Sequence, residues 1–97
     1  MSLWERNQVL DAWHEDGEGV VLLPDGRVLA LNQLSWSLWS ALESSAKTEV
    51  ELVERVVEEF GRPYDEQGND LSRSIVIELL KVLESEAILT RLDARPS

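Results

Sequence analysis

Two stretches hold side chains of the kinds that catalyse reactions or bind metals. His14 is the one histidine of the 97 residues, and it precedes Glu15 and Asp16. An imidazole beside a carboxylate is the usual unit of general acid–base work, but it needs a further group to orient or activate. Here the acids simply follow His14 in the chain at an expected strand end, so a surface histidine is expected. The run Asp65-Glu66-Gln67-Gly68-Asn69-Asp70 has the oxygen-rich composition of a calcium loop. It lacks the alternating ligands and the closing Glu of such a loop and reads as a solvated turn. No Ser stands in a nucleophile motif, and the absence of Cys removes thiol catalysis, thiolate metal sites and disulfides together. The chain is expected not to be an enzyme, with no catalytic, metal or cofactor-binding residues.

Charge narrows the partners. Nineteen Asp and Glu oppose nine Lys and Arg, for a net charge of −10, and the excess is spread along the chain. Phosphate binding needs clustered bases, so nucleic acid is excluded from the expected partners. Anionic membranes are disfavoured for the same reason. A basic or neutral partner is favoured. Met1 to Asn7 has no apolar run and reads as no signal peptide, and no stretch reaches the length of a membrane span. The expected location is the cytoplasm.

The length suits one domain. Residues 1–7 read as a flexible start, 8–91 as the domain and 92–97 as a flexible end. Gln8–His14 reads as a weak strand, with Gly17 and Gly19 bracketing a turn. Gly19–Leu23 and Arg27–Leu31 are apolar runs joined by Pro24-Asp25-Gly26, which predicts a hairpin. Asn32 caps a helix carrying Leu34, Leu38 and Leu42, with Trp39 in the core and Trp36 part-buried. Thr48 and Glu51 form a capping box. Val50, Val53, Val56, Val57 and Phe60 are expected on the buried face of the second helix, which Gly61 ends. A third helix begins near Asp70 or Leu71 and runs to about Glu86, and Ile88 and Leu89 tuck under the core. Trp13 is expected to pack a strand face. Trp4 is expected either to contact a partner or to be loose. The fold class is α+β and winged-helix-like: a three-stranded antiparallel β-meander followed by three α-helices.

The third helix carries more apolar surface than one core requires. Val76, Leu80, Leu83 and Ala87 are expected inward, and Leu79, Leu71, Ile75 and Val82 continue round one flank. The apolar arc is about 180° wide against the ~100° of one buried face. The strand Val28-Leu29-Ala30-Leu31 has Arg27 at its start and no other charge. As a sheet edge it lacks the usual protection and can accept an added strand. These features predict a peptide groove formed by Arg27, Val28, Leu29, Ala30 and Leu31 with Leu71, Ile75, Glu78, Leu79 and Val82, and with Lys81 at its rim.

The run Gly19-Val20-Val21-Leu22-Leu23, the turn Asp25-Gly26 and Arg27-Val28-Leu29-Ala30-Leu31-Asn32 resemble the strand hairpin of the PqqD-like proteins, also called RiPP recognition elements. Leu38-Trp39-Ser40-Ala41-Leu42 is similar to that family's first helix. Glu51-Leu52-Val53 through Glu58-Glu59-Phe60 is similar to its second, and Leu79-Leu80, Leu83 and Ala87-Ile88-Leu89 to its last helix and tail. The resemblance covers about residues 8–90. The chain departs from the family's pattern at Ser35 and Ala87, where Gly is common, and at Trp36 and Ile75. The resemblance implies a stand-alone protein, as in lasso-peptide biosynthesis, that binds the leader of a ribosomal precursor peptide. The leader would add as a strand and pack on the last helix. The domain would then deliver the precursor to a processing enzyme, either a leader protease or a radical SAM-type enzyme.

Three other readings compete. The same edge and flank would suit a structural or oligomerising domain, so both monomer and homodimer remain open. The acidic second helix resembles that of an acyl carrier protein, but Glu43-Ser44-Ser45-Ala46 stands where a carrier has Asp-Ser-Leu. A DNA-binding winged helix shares the architecture, but Asp70, Glu78, Glu84 and Glu86 outweigh Arg73 and Lys81 along the third helix.

Overall fold

The computed structural model describes residues 2–93. The architecture is α+β: two three-stranded antiparallel sheets and three helices around one core. The first strand, β1 (Ser2–Arg6), precedes a meander of β2 (Asp11–Glu15), β3 (Glu18–Leu22) and β4 (Val28–Leu31). Helix α1 (Gln33–Ala41), the short β5 (Lys47–Thr48), α2 (Glu49–Phe60), α3 (Ser72–Ser85) and β6 (Leu89–Asp93) follow. No helix among the described residues is long and apolar enough to cross a membrane.

Turn chemistry sets the meander. Asp16 and Gly17, both at positive φ (52° and 81°), join β2 to β3. That pair makes the two-residue turn whose twist matches the flanking strands. Between β3 and β4 the Leu23 carbonyl accepts from Gly26 N–H at 2.9 Å, and Leu23 N–H donates to the Arg27 carbonyl at 2.8 Å. With Gly26 at φ 92°, this is a tight turn followed by a one-residue bulge. Pro24 and Asp25 occupy its corner and Asp25 Oδ1 accepts the Arg27 N–H.

The helices begin and end where local chemistry places them. Asn32 Oδ1 accepts Ser35 N–H at the start of α1. The Thr48–Glu51 capping box opens α2 and Gly61, at φ 84°, closes it. Asp70 accepts from both the N–H and the hydroxyl of Ser72 at the start of α3. At its end Ile88 N–H reaches Leu83 O and Ala87 N–H reaches Glu84 O, the paired bonds of a Schellman motif. Ile88 and Leu83, the two apolar residues that accompany this motif, are both buried.

Several expectations are corrected. Residues 2–6 are not a loose start: β1 is the middle strand of a second sheet, ordered β5-β1-β6. It pairs Leu3 with Thr48 and runs from Ser2↔Asp93 to Arg6↔Leu89 along β6. Trp4 is 3% exposed, a core residue rather than a partner contact. Leu92 and Asp93, expected to fray, belong to β6; the expectation for 94–97 lies outside the described residues. On α2 the buried residues are Leu52 and Val56, while Val50 and Phe60 are exposed, because the face meeting the core is centred on that i, i+4 pair. Ala87 is exposed at φ 66°, since the helix has already turned. Trp13 is 48% exposed on the outer sheet face.

Gly19 sets the distance between sheet and helix. A Cβ there would lie 1.9 Å from Trp36 Cε3. The Trp36 indole therefore rests on the β3 backbone, with His14 stacked on it at 5.0 Å and Trp39 tilted beside it.

Two stability outcomes follow from this packing. Trp4→Ala should lower the unfolding free energy by about 3–5 kcal/mol in a urea titration. Ala87→Gly should raise it by about 1 kcal/mol, because a residue with a Cβ is strained at positive φ.

Candidate functional site

Register decides which main-chain groups of the meander are free. The Leu23–Arg27 hydrogen bond fixes the alternation along β3 and β4. Leu29 pairs with Val21 and Leu31 with Gly19, both at hydrogen-bonded positions. Val28 and Ala30 lie at the alternate positions and turn their N–H and C=O groups away from β3. Sheet order is β2-β3-β4, so these groups line an open edge.

The opposite edge differs. On β2 the outward positions are Ala12 and His14, and the Ala12 N–H is taken by Asp11 Oδ1 at 2.8 Å. Asp11 and Glu15 add charge there, and His14 is held against Trp36. Charge and a side-chain cap are the means by which strand edges are normally protected. Neither is present at Val28 or Ala30.

Beside the open edge lies α3. Val76, Leu80 and Leu83 face the core, as their spacing predicts, and are buried. Leu71, Ile75 and Leu79 are half-buried and Val82 is 52% exposed. Two cavities lie along this flank. One, of about 400 Å³, is bounded by Leu29, Ala30, Leu31 and Asn32 on the strand side, by Val82, Leu83 and Glu86 on the helix side, and by Glu18 and Ser35. The other, of about 460 Å³, is lined by Asn32, Leu34, Val56, Phe60, Pro63 and Ile75, among others. Asn32 borders both, so the two adjoin there. Leu79 packs against the core, whereas Leu71 and Glu78 line neither cavity.

The predicted residues thus divide. Val28 and Ala30 offer backbone, and Ile75 and Val82 offer apolar surface. Leu31 is 3% exposed and supports the edge from within. Glu78 pairs with Lys81 at 4.0 Å, well out in solvent. Sequence reasoning missed Glu18, Asn32, Ser35 and Glu86 at the first cavity and Leu34, Val56, Phe60 and Pro63 at the second. Phe60 carried a signal: it sits one residue before the Gly that ends α2, where the helix has begun to leave the core.

Arg27 closes one end of the groove. Its Nε donates to Asp25 Oδ2 at 2.8 Å, Nη1 lies 3.6 Å from Glu86 Oε2, and Nη2 donates to the Glu86 carbonyl at 3.4 Å. It therefore ties the hairpin tip to the C-terminal end of α3, where a cation suits the helix dipole. The Asp25 carboxyl is held below its ordinary value of 3.8, first by the Arg27 backbone N–H and then by the Arg27 side chain. Asp65 and Asp70 are lowered likewise, Asp65 first by the Asn69 side chain and Asp70 first by the Ser72 hydroxyl. Asp65 spends its oxygens on Gln67 and Asn69, so the run that resembles a calcium loop is a self-capped turn.

Comparison of the chain with protein-family models, with curated proteins and with solved structures finds no match. The class that the fold and the site define is an α+β domain with one unprotected strand edge beside an apolar helix flank.

A depressed carboxyl stabilises the fold above its unfolded value and loses that contribution as pH falls through the lowered one. The Asp25 carboxyl should therefore titrate below 3.8 by carbon-detected NMR. Arg27→Ala should return it only part-way, because the backbone donor, the larger cause, remains.

Proposed function

We propose that this chain is a peptide-binding domain without catalytic activity of its own. It takes an extended guest segment as an added strand beside β4. Such a guest would draw affinity from the main-chain groups of Val28 and Ala30. Specificity would come from side chains entering the cavities bordered by Val82 and Ile75. The observation that carries the reading is the contrast between edges: β2 is capped and charged, while β4 is bare and lies next to the apolar α3 flank.

The resemblance to the PqqD-like proteins supports a particular guest, the leader segment of a ribosomal precursor peptide. The domain would hold that leader in the cytoplasm while a leader protease or a radical SAM-type enzyme acts on the rest. Contact of one leader with both proteins would raise the overall affinity by making the second contact intramolecular.

A second reading is pairing of two copies. It is favoured by the outer sheet face, where Trp13 and Val28 are 48% and 64% exposed. The net charge of −10 opposes it. Light scattering distinguishes a dimer from a monomer.

The test of peptide binding is an anisotropy titration with labelled leader peptides from precursors encoded near this gene. Ala30→Pro removes an outward N–H while sparing the β3 ladder, a placement that edge strands tolerate. It should weaken binding about tenfold with the circular dichroism unchanged. Ile75→Glu, which puts a charge into the second cavity, should weaken it by about 2 kcal/mol or more. Unchanged affinity in both folded variants would remove the groove from consideration.

A further inference from the structure

The two ends of the open edge differ in charge. The four residues of β4 span about 13 Å at ~3.3 Å each. At the Arg27 end the charges are mutually engaged: Arg27 lies between Asp25 and Glu86. At the Asn32 end they are not. Glu18 borders the cavity beside Asn32, and the β2–β3 turn places Glu15 and Asp16 with it. All three are exposed, and among the described residues none forms an ion pair. Arg55 and Glu59 line the neighbouring pocket beside Gly17 and Gln33 and offset each other, so a guest strand meets a net negative field at one end and a more nearly balanced one at the other.

We infer that the guest is a segment with Lys or Arg immediately N-terminal to a short run of alternating apolar residues, added antiparallel to β4. Orientation follows from the ends. In an antiparallel arrangement the guest's N-terminal part lies beside Asn32 and its C-terminal part beside Arg27. Antiparallel pairing is also the more stable per residue. The apolar residues of the guest fill the side toward Val82, and the base meets Glu18. An acidic flank in that position is repelled, so the same field that attracts the guest excludes acidic competitors. A second copy of this chain would bring its own Arg27 beside Glu18 in the same antiparallel arrangement. That Arg27 is already engaged by Asp25 and Glu86 and carries both acids with it, so it is a poorer occupant than a segment with a free base. The inference rests on the strand-addition reading.

The experiment is selection of displayed random twelve-residue peptides on the full chain, counter-screened on Ala30→Pro. Binders that lose affinity on Ala30→Pro are edge binders. Among these, Lys or Arg should be enriched just before an alternating apolar run. For a selected peptide, Glu18→Lys should weaken binding about fivefold to tenfold, and the difference should shrink in about 0.5 M salt. Edge binders with no basic enrichment, or with bases only after the apolar run, would overturn this inference and leave strand addition standing. Absence of any binder sensitive to Ala30→Pro would overturn strand addition itself.

Discussion

A strand has two rows of main-chain donors and acceptors, and β3 satisfies both of its own by alternation. It bonds to β2 through Glu18, Val20 and Leu22, and to β4 through Gly19 and Val21. That arrangement pushes the unsatisfied rows outward onto β2 and β4. Water can satisfy them, but so can another chain. The fold solves the problem on one side only. Asp11 caps Ala12 on β2, whereas β4 is shielded neither by a helix crossing it nor by a charge within it. What distinguishes this domain physically is that asymmetry, and it is fixed by turn residues rather than by anything at the edge itself. Asp16-Gly17 and Pro24-Asp25-Gly26 set the register, and a shift of one residue would exchange the inward and outward groups of every strand.

The supports of the edge lie in the core. Leu29 and Leu31 point toward the helices, and Leu31 is buried with Val21, Leu23 and Leu83. Gly19 lets Trp36 approach the sheet, so α1 begins directly after β4 and its cap residue, Asn32, borders both cavities. The second sheet works at the other side of the molecule. By pairing β1 with β6 it draws the end of α3 into a fixed position, through Asn7, whose Nδ2 donates to the Ala87 carbonyl and whose N–H donates to the Ile88 carbonyl. Helix α3 is thus held at its C-terminal end by three connections: this one, the Schellman turn and Arg27. For the proposed guest, a groove wall held in this way would need little reorganisation, which limits the entropy cost of binding.

How much of this was legible in the sequence depended on range. The β3–β4 hairpin, the Asn32 cap, the Thr48–Glu51 box and the Gly61 stop are all local, and each lies where its residues predict. The second sheet was not legible. Its pairs, such as Arg6↔Leu89, join residues at opposite ends of the chain, and Ser2–Arg6 has no strong alternation to announce a strand. Trp4 read as loose for that reason alone. The face of α2 was misjudged because Val50 and Phe60 fit the apolar stripe as well as Leu52 does, and only the placement of neighbouring elements decides among them. At the site, the strand edge and the α3 flank were legible from pattern, but Glu18 and Glu86 were not, because their position beside β4 depends on the register and on the helix end.

Charge adds the last constraint. An open apolar edge is an aggregation hazard, and proteins usually remove it by placing charge on the edge itself. Here the charge sits around the edge instead: Glu15, Asp16 and Glu18 at one end, Asp25 and Glu86 with Arg27 at the other. That placement keeps the backbone of Val28 and Ala30 accessible while repelling copies of an equally acidic chain. An edge meant only for structure would gain from Lys at position 28 or 30. Retaining Val and Ala there, within an acidic frame, leaves the edge in the state that the proposed strand addition requires.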